Sequence, residues 1–410
     1  MGPDITNRTI FGYARLLSFA IAAMFMLSIL APRIVAAQAA PIPDRHSSAR
    51  LDSVARLLAG LPPTLSEHET LAQTPAWKEH SDAIQGSWSK VRDGQQVALK
   101  AWRDAELPHG CPVGQTALYP FSGPDFLNVY WLFPDCTNIV MFGLERIGDV
   151  PKVETMSEKE FTNLLVNVRG FMVNLFVRNY FVTDTMLKSL GRNRLRGVVP
   201  VFLVSMALSG VEVLRVTPLD PPVPLTKSAL TTSGQTDALP KERVRKRKLR
   251  GVLIDFRRSG STQIQNLKYF SLDATDAAMA DYPEFLDYLR TLAPATTLIK
   301  SASYLLHGHE FSRLRDVILD ASVFLVQDDT GLPYARLRKR GWEIAVYGTY
   351  EVPIPPFQGA YQKGLAAAYE KQKPKPLPFR FGYQLISKRE NRSNLMVARL
   401  SSRPNPAPNR

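Results

Sequence analysis

Apolar residues recur at three- and four-residue steps through Phe161, Leu164, Leu165, Val168, Phe171, Met172, Leu175 and Phe176, which predicts a helix from Glu158 to Leu190 with one face in the core. Ser157 and Glu160 supply a capping-box start, and Gly191 stands where a C-terminal cap is expected. Val198–Leu208 is apolar on all sides and too short to cross a bilayer, so it reads as a buried helix. It feeds a short strand through Val211, Val213 and Val216. Upstream, residues 48–107 carry Trp77, Trp88 and Trp102 among Ala, Leu, Gln and charged residues, which suits two or three helices. Downstream, Gly251–Phe256 and Leu267–Leu272 form a strand pair across Arg257–Ser261, and helical pattern runs from Pro283 through Leu306. Trp342–Tyr350, Phe379–Gln384 and Asn394–Leu400 have the β-branched and aromatic content of further strands.

These elements predict an α/β or α+β fold of two lobes, residues 48–220 and 251–400, each with helices packed on a small sheet. Between them, Pro221–Pro240 lacks periodicity and runs into Lys241–Arg250, where seven basic residues and one Glu contribute +6. Residues 221–250 are therefore expected to be a solvated basic linker, and residues 401–410 a disordered tail. Arg8 and Arg15 precede an apolar run from Leu16 to Ala31, followed by Ala37-Gln38-Ala39, the layout of a secretory signal removed near residue 39. Removal takes away three basic and one acidic residue, lowering the net charge from +14 to +12. The expected location is periplasmic or secreted, with no membrane span in the remaining chain. There the basic segment Lys241–Arg250 suits anionic envelope polymers or lipid headgroups, while nucleic acid is excluded by location and by the lack of interleaved aromatics. Cys111 and Cys136 are the only cysteines, and an oxidising compartment permits them to pair.

A shift of 185 residues aligns Thr116–Phe142 with Ser301–Gln327 without a gap and matches Ala117, Tyr119, Gly123, Phe126 and Asp135 to Ala302, Tyr304, Gly308, Phe311 and Asp320. An internal duplication would bring the loops Ser122–Asp125 and His307–Glu310 together at the lobe interface. The candidate ligand-binding residues are then Tyr119, Ser122, Asp125, Tyr304, His307 and Glu310. His307 and His309, with Asp328 and Asp329 or Glu310, offer nitrogen and oxygen ligands for a divalent metal. Paired carboxylates such as Asp328 and Asp329 also suit acid and base roles, although Asp and Gly there equally make a turn. Ser122, Ser301 and Ser303, with Lys300 or His307 as a base, lack any nucleophile-elbow spacing. No glycine-rich phosphate loop, CxxC or HExxH pattern is present, so no catalytic residue is assigned.

Tyr119–Leu127, Lys300–Tyr304 and Gln327–Gly331 resemble segments of a group of exported bacterial proteins without an assigned activity. That resemblance covers residues 110–400 and implies no chemistry. The expectation is a non-enzymatic ligand- or envelope-binding protein, with a metal-assisted or carboxylate-based envelope hydrolase as the alternative.

Overall fold

The computed structural model describes residues 45–180, 195–219, 249–383 and 392–400. The signal segment, the basic segment 241–248 and the tail lie outside them. Nine strands make one mixed sheet in the order β3-β4-β5-β2-β1-β6-β7-β9-β8. Their ranges are β1 Thr116–Pro120, β2 Asn138–Gly143, β3 Val211–Leu219, β4 Arg250–Arg258, β5 Ile264–Ser271, β6 Ala295–Ile299, β7 Ser322–Gln327, β8 Trp342–Gly348 and β9 Asn394–Leu400. The five central strands β5-β2-β1-β6-β7 are parallel, and antiparallel pairs close both edges. The α/β class is thus present, but strands from both sides of residues 221–250 share this single sheet, where two small sheets were expected.

The helices are α1 Arg45–Leu58, α2 Ser66–Ala72, α3 Pro75–Lys90, α4 Val97–Glu106, α5 Phe126–Leu132, α6 Glu158–Arg178, α7 Val199–Leu208, α8 Pro283–Thr291, α9 Ser312–Ala321, α10 Tyr334–Lys339 and α11 Lys363–Gln372. Strand alternation sorts the core into two layers. Ala117, Tyr119, Ile139 and Met141 face a layer built with α1 and α3–α7. Leu118, Val140 and Phe142 face the other layer, built with α8, α9 and α10. Cys111 and Cys136 are joined by a disulfide that ties the lead-in of β1 to that of β2.

Three expected elements differ. The long helix has its capping box but ends at Arg178, with Asn179 as a left-handed cap at φ 58°; Gly191 and the neighbouring expected turns lie outside the described residues. The helical pattern from Pro283 stops at Thr291, and β6 follows. Pro294 cannot donate inside a helix, and Thr296, Thr297 and Ile299 are β-branched residues buried between β1 and β7. Phe379–Tyr383 is irregular rather than a strand: Phe379 and Phe381 are buried, but Gly382 turns the chain at φ +69°.

With respect to the 185-residue shift, α5 and β2 fall on residues 311–317 and 323–328, close to α9 and β7, but β1 falls on 301–305, one strand-length beyond β6. The segments β1-α5-β2 and β6-α9-β7 are both parallel crossovers, carried on opposite faces of the sheet. That reversal makes the β1–β6 junction a topological switch point, where open α/β sheets leave a crevice beyond the carboxyl ends of the strands.

Candidate functional site in the crevice between β1 and β6

Each of the two strands leaves the sheet through residues at positive φ: Phe121 at 55° after β1, and Ser301, Ser303 and Tyr304 at 53°, 52° and 56° after β6. Non-glycine residues adopt this conformation at a cost, and such strain persists only where neighbours enforce it. After β6 the neighbours are identifiable. Asp328 Oδ2 accepts from the Ser301 amide at 2.9 Å, Thr330 Oγ1 accepts from the Ala302 amide at 2.7 Å, and the Ser303 and Tyr383 hydroxyls lie 2.8 Å apart. The Tyr304 hydroxyl donates to Asp329. Gly382 is required beside this turn, because a Cβ there would lie 2.1 Å from Asp328 Oδ2.

The strand ends carry a buried charge pair. Lys300 Nζ lies 2.9 Å from Asp125 Oδ2, with the two side chains 1% and 2% exposed, and also donates to the Asn179 carbonyl. Asp125 is the N-cap of α5 and accepts from Tyr119 Oη at 2.9 Å and from Asn128 Nδ2 at 2.8 Å. Asn128 Nδ2 also reaches Asn179 Oδ1 at 2.9 Å, which fixes the end of α6 to the site. Burial, then the adjacent Asp125 charge, pushes the Tyr119 phenol well above its ordinary pKa.

Beyond this network opens a cavity of about 110 Å³, room for several waters or one small polar group within a wider cleft. Phe121 stands edge-on to Phe142 and Phe311, with centroids 6.0 and 5.7 Å away, and forms an apolar wall. Glu145, just past β2, supplies a carboxyl to the cavity and accepts from Tyr269 Oη at 2.7 Å. Its pKa is raised by burial, partly opposed by that hydrogen bond. Gly143 makes room for this carboxyl, since a Cβ there would sit 2.4 Å from Glu145 Oε2. Ser301 Oγ, buried at the cavity, has no hydrogen-bond partner among the described residues.

Of the residues singled out from sequence, Tyr119, Ser122 and Asp125 line this cavity, and so do Lys300, Ser301 and Ser303. The loop opposite Ser122–Asp125 is Lys300–Ser303, not His307–Glu310. Tyr304 and His307 face a different groove, and Glu310 lines neither. The expected metal set is not assembled. His309 is 93% exposed, and the two aspartates are occupied: Asp328 by Ser301 and Thr330, Asp329 by Tyr304 and by Asn394 at 2.9 Å. Burial raises the pKa of both aspartates, and the Asp329 charge adds to the effect on Asp328. The acidic pair therefore braces the turn after β6. Among the described residues, the group with metal-like spacing is Glu67, His68 and Glu154. There Arg50 already pairs with Glu154 at 2.7 Å, and His68 is engaged by Ser53 and Glu154 at 2.8 and 3.0 Å, so a structural ion pair accounts for it.

Sequence reasoning missed Glu145, Asn128 and Asn179. Glu145 was within reach as an acidic residue directly after an apolar strand; the asparagines carry no such signal. No family model, curated protein or solved structure matches the chain.

Proposed function

We propose that the protein is an exported binding protein, periplasmic or secreted, that takes a small ligand in the β1–β6 crevice. The observation that carries this reading is the convergence, at the switch point, of an aromatic wall with polar groups that retain hydrogen-bonding capacity. Ser301 Oγ has no partner among the described residues, two of the three Lys300 donors are taken by Asp125 and Asn179, and burial raises the pKa of Glu145, which accepts from Tyr269. Donors facing inward select an accepting head, and the neutral Lys300–Asp125 pair favours a carbonyl or carboxylic acid over a multiply charged group. The Phe121 wall suits an apolar body. Export is supported by the N-terminal pattern and by the disulfide. Among the described residues no helix is long and apolar enough to cross a membrane. Within the envelope, Lys241–Arg250 would add salt-sensitive attraction to anionic polymers or headgroups.

Native mass spectrometry of protein purified from its own host tests this. The expected result is an organic mass excess that is lost on denaturation and diminished in Glu145→Ala and Ser301→Ala. A protein without bound mass, or one retaining the excess fully in both variants, would count against the crevice. A hydrolase is the second reading, favoured by one observation: a buried carboxyl of raised pKa shares the cavity with the unpartnered Ser301 hydroxyl. It predicts conversion of the bound mass to a product over time, abolished in Glu145→Gln.

A further inference from the structure

A second concavity, of about 590 Å³, opens on the other side of the turn after β6, between α10 and the start of α11. Its size is within the roughly 300–1,000 Å³ of ligand sites. Three tyrosines line it. Tyr361 is 43% exposed and lies parallel to Tyr350, with centroids 5.8 Å apart and planes within 6°; Tyr350 stays outside the groove. One face of Tyr361 is thereby covered by a second ring. Tyr304 and Tyr334 line the same groove, together with Gly308, Gly359 and Gly364.

The groove also contains a polar atom with an unmet requirement. The His307 ring lines the groove, and its Nε2 is buried without a partner among the described residues. Burial, foremost, lowers its pKa to about 4, so the ring is neutral at ordinary pH and its Nε2 has an unmet hydrogen bond. The frame is fixed in advance by Gln362. Its amide donates to Tyr350 Oη at 2.9 Å, its Nε2 donates to the Asp329 carbonyl at 2.9 Å, and its Oε1 accepts from the Tyr334 amide at 2.8 Å.

We infer that this groove binds a neutral oligosaccharide, one pyranose ring lying on Tyr361 and a sugar hydroxyl hydrogen-bonded to His307 Nε2. A pyranose offers an apolar C–H face to a ring and a rim of hydroxyls, which matches both features at once. A proline-rich peptide would also suit tyrosine faces, but proline offers Nε2 only a carbonyl acceptor, whereas a hydroxyl can donate or accept. The groove is separate from the crevice, so this inference does not depend on the ligand proposed there.

The test is titration of the purified protein with chitotetraose, cellotetraose and maltotetraose, followed by saturation-transfer NMR and calorimetry. Binding of at least one is expected, with saturation strongest on ring C–H protons. Tyr361→Ala should weaken it roughly five- to tenfold, and His307→Phe by a few-fold up to about tenfold. Tyr361→Trp should preserve it, and Glu145→Gln, in the crevice, should leave it unchanged. Because Tyr361 lies at the surface, its variants keep the test open even if His307→Phe destabilises the fold. Failure of all three sugars, sugar affinity indifferent to Tyr361→Ala, or binding of a polyproline peptide in their place would overturn the inference.

Discussion

Asp125→Asn is the most decisive single perturbation of the crevice. Asparagine keeps the size of Asp125 and its ability to cap α5, but removes the charge 2.9 Å from Lys300 Nζ. With the lysine side chain only 1% exposed, bulk solvent compensates little for the lost carboxylate. An ammonium stranded in this way costs about 3–5 kcal/mol. Lys300→Met leaves the opposite charge, yet Asp125 keeps the Tyr119 and Asn128 donors, so its cost belongs near the lower end, about 3 kcal/mol. The double variant removes both charges and should cost far less than the sum, a coupling of about 3 kcal/mol. Guanidinium unfolding of the oxidised protein at neutral pH, followed by tryptophan fluorescence, measures all four corners of the cycle. Additive single costs, with coupling under about 0.5 kcal/mol, would show that water reaches the pair and would refute the argument.

Other consequences follow from the same structure. His307, with a folded pKa of about 4 against 6.5, binds fewer protons folded than unfolded, so stability present above pH 6.5 is lost as pH falls toward 4, on the order of 3 kcal/mol. His307→Phe should lack that part of the acid slope in unfolding measured from pH 7 to pH 4; an unchanged slope would contradict the burial argument. Glu145 has the opposite sign: its raised pKa contributes stability below the unfolded value of 4.5 that disappears as pH rises, so Glu145→Gln should gain on the wild type between pH 5 and pH 8 in thermal melts. Reduction of Cys111–Cys136, which spans 25 residues, should lower unfolding free energy by about 3.5 kcal/mol on the loop-entropy estimate, readable as a shift in denaturation midpoint with and without reductant. Gly382→Ala would press on the Asp328 carboxylate at a left-handed position and should cost at least about 1–2 kcal/mol; a neutral result would mean that the brace behind Ser301 is not needed.

What the chain determines locally was legible in its residues. The capping box at Ser157 and Glu160, the buried helix at Val199–Leu208 and the strands β3, β4, β5, β8 and β9 each depend on neighbours within one or two turns, so periodicity and end signals suffice. Tyr119, Ser122 and Asp125, singled out through the 185-residue shift, do line the crevice. The pairing of Cys111 with Cys136 was open in sequence and is closed by the adjacency of β1 and β2. Tertiary structure alone decided the rest. β6 was hidden inside a helical pattern because a strand covered on both faces has no alternation to display. The partner of the β1 loop proved to be Lys300–Ser303, since crossovers on opposite faces of the sheet part exactly at β1 and β6, a choice no local pattern records. Asp328 and Asp329, attractive as ligands on paper, are consumed, the first by amides of a strained turn and the second by the Tyr304 and Asn394 side chains. Burial and hydrogen-bond satisfaction are properties of the packed chain, and those properties, rather than residue type, separate a bracing carboxylate from an available one.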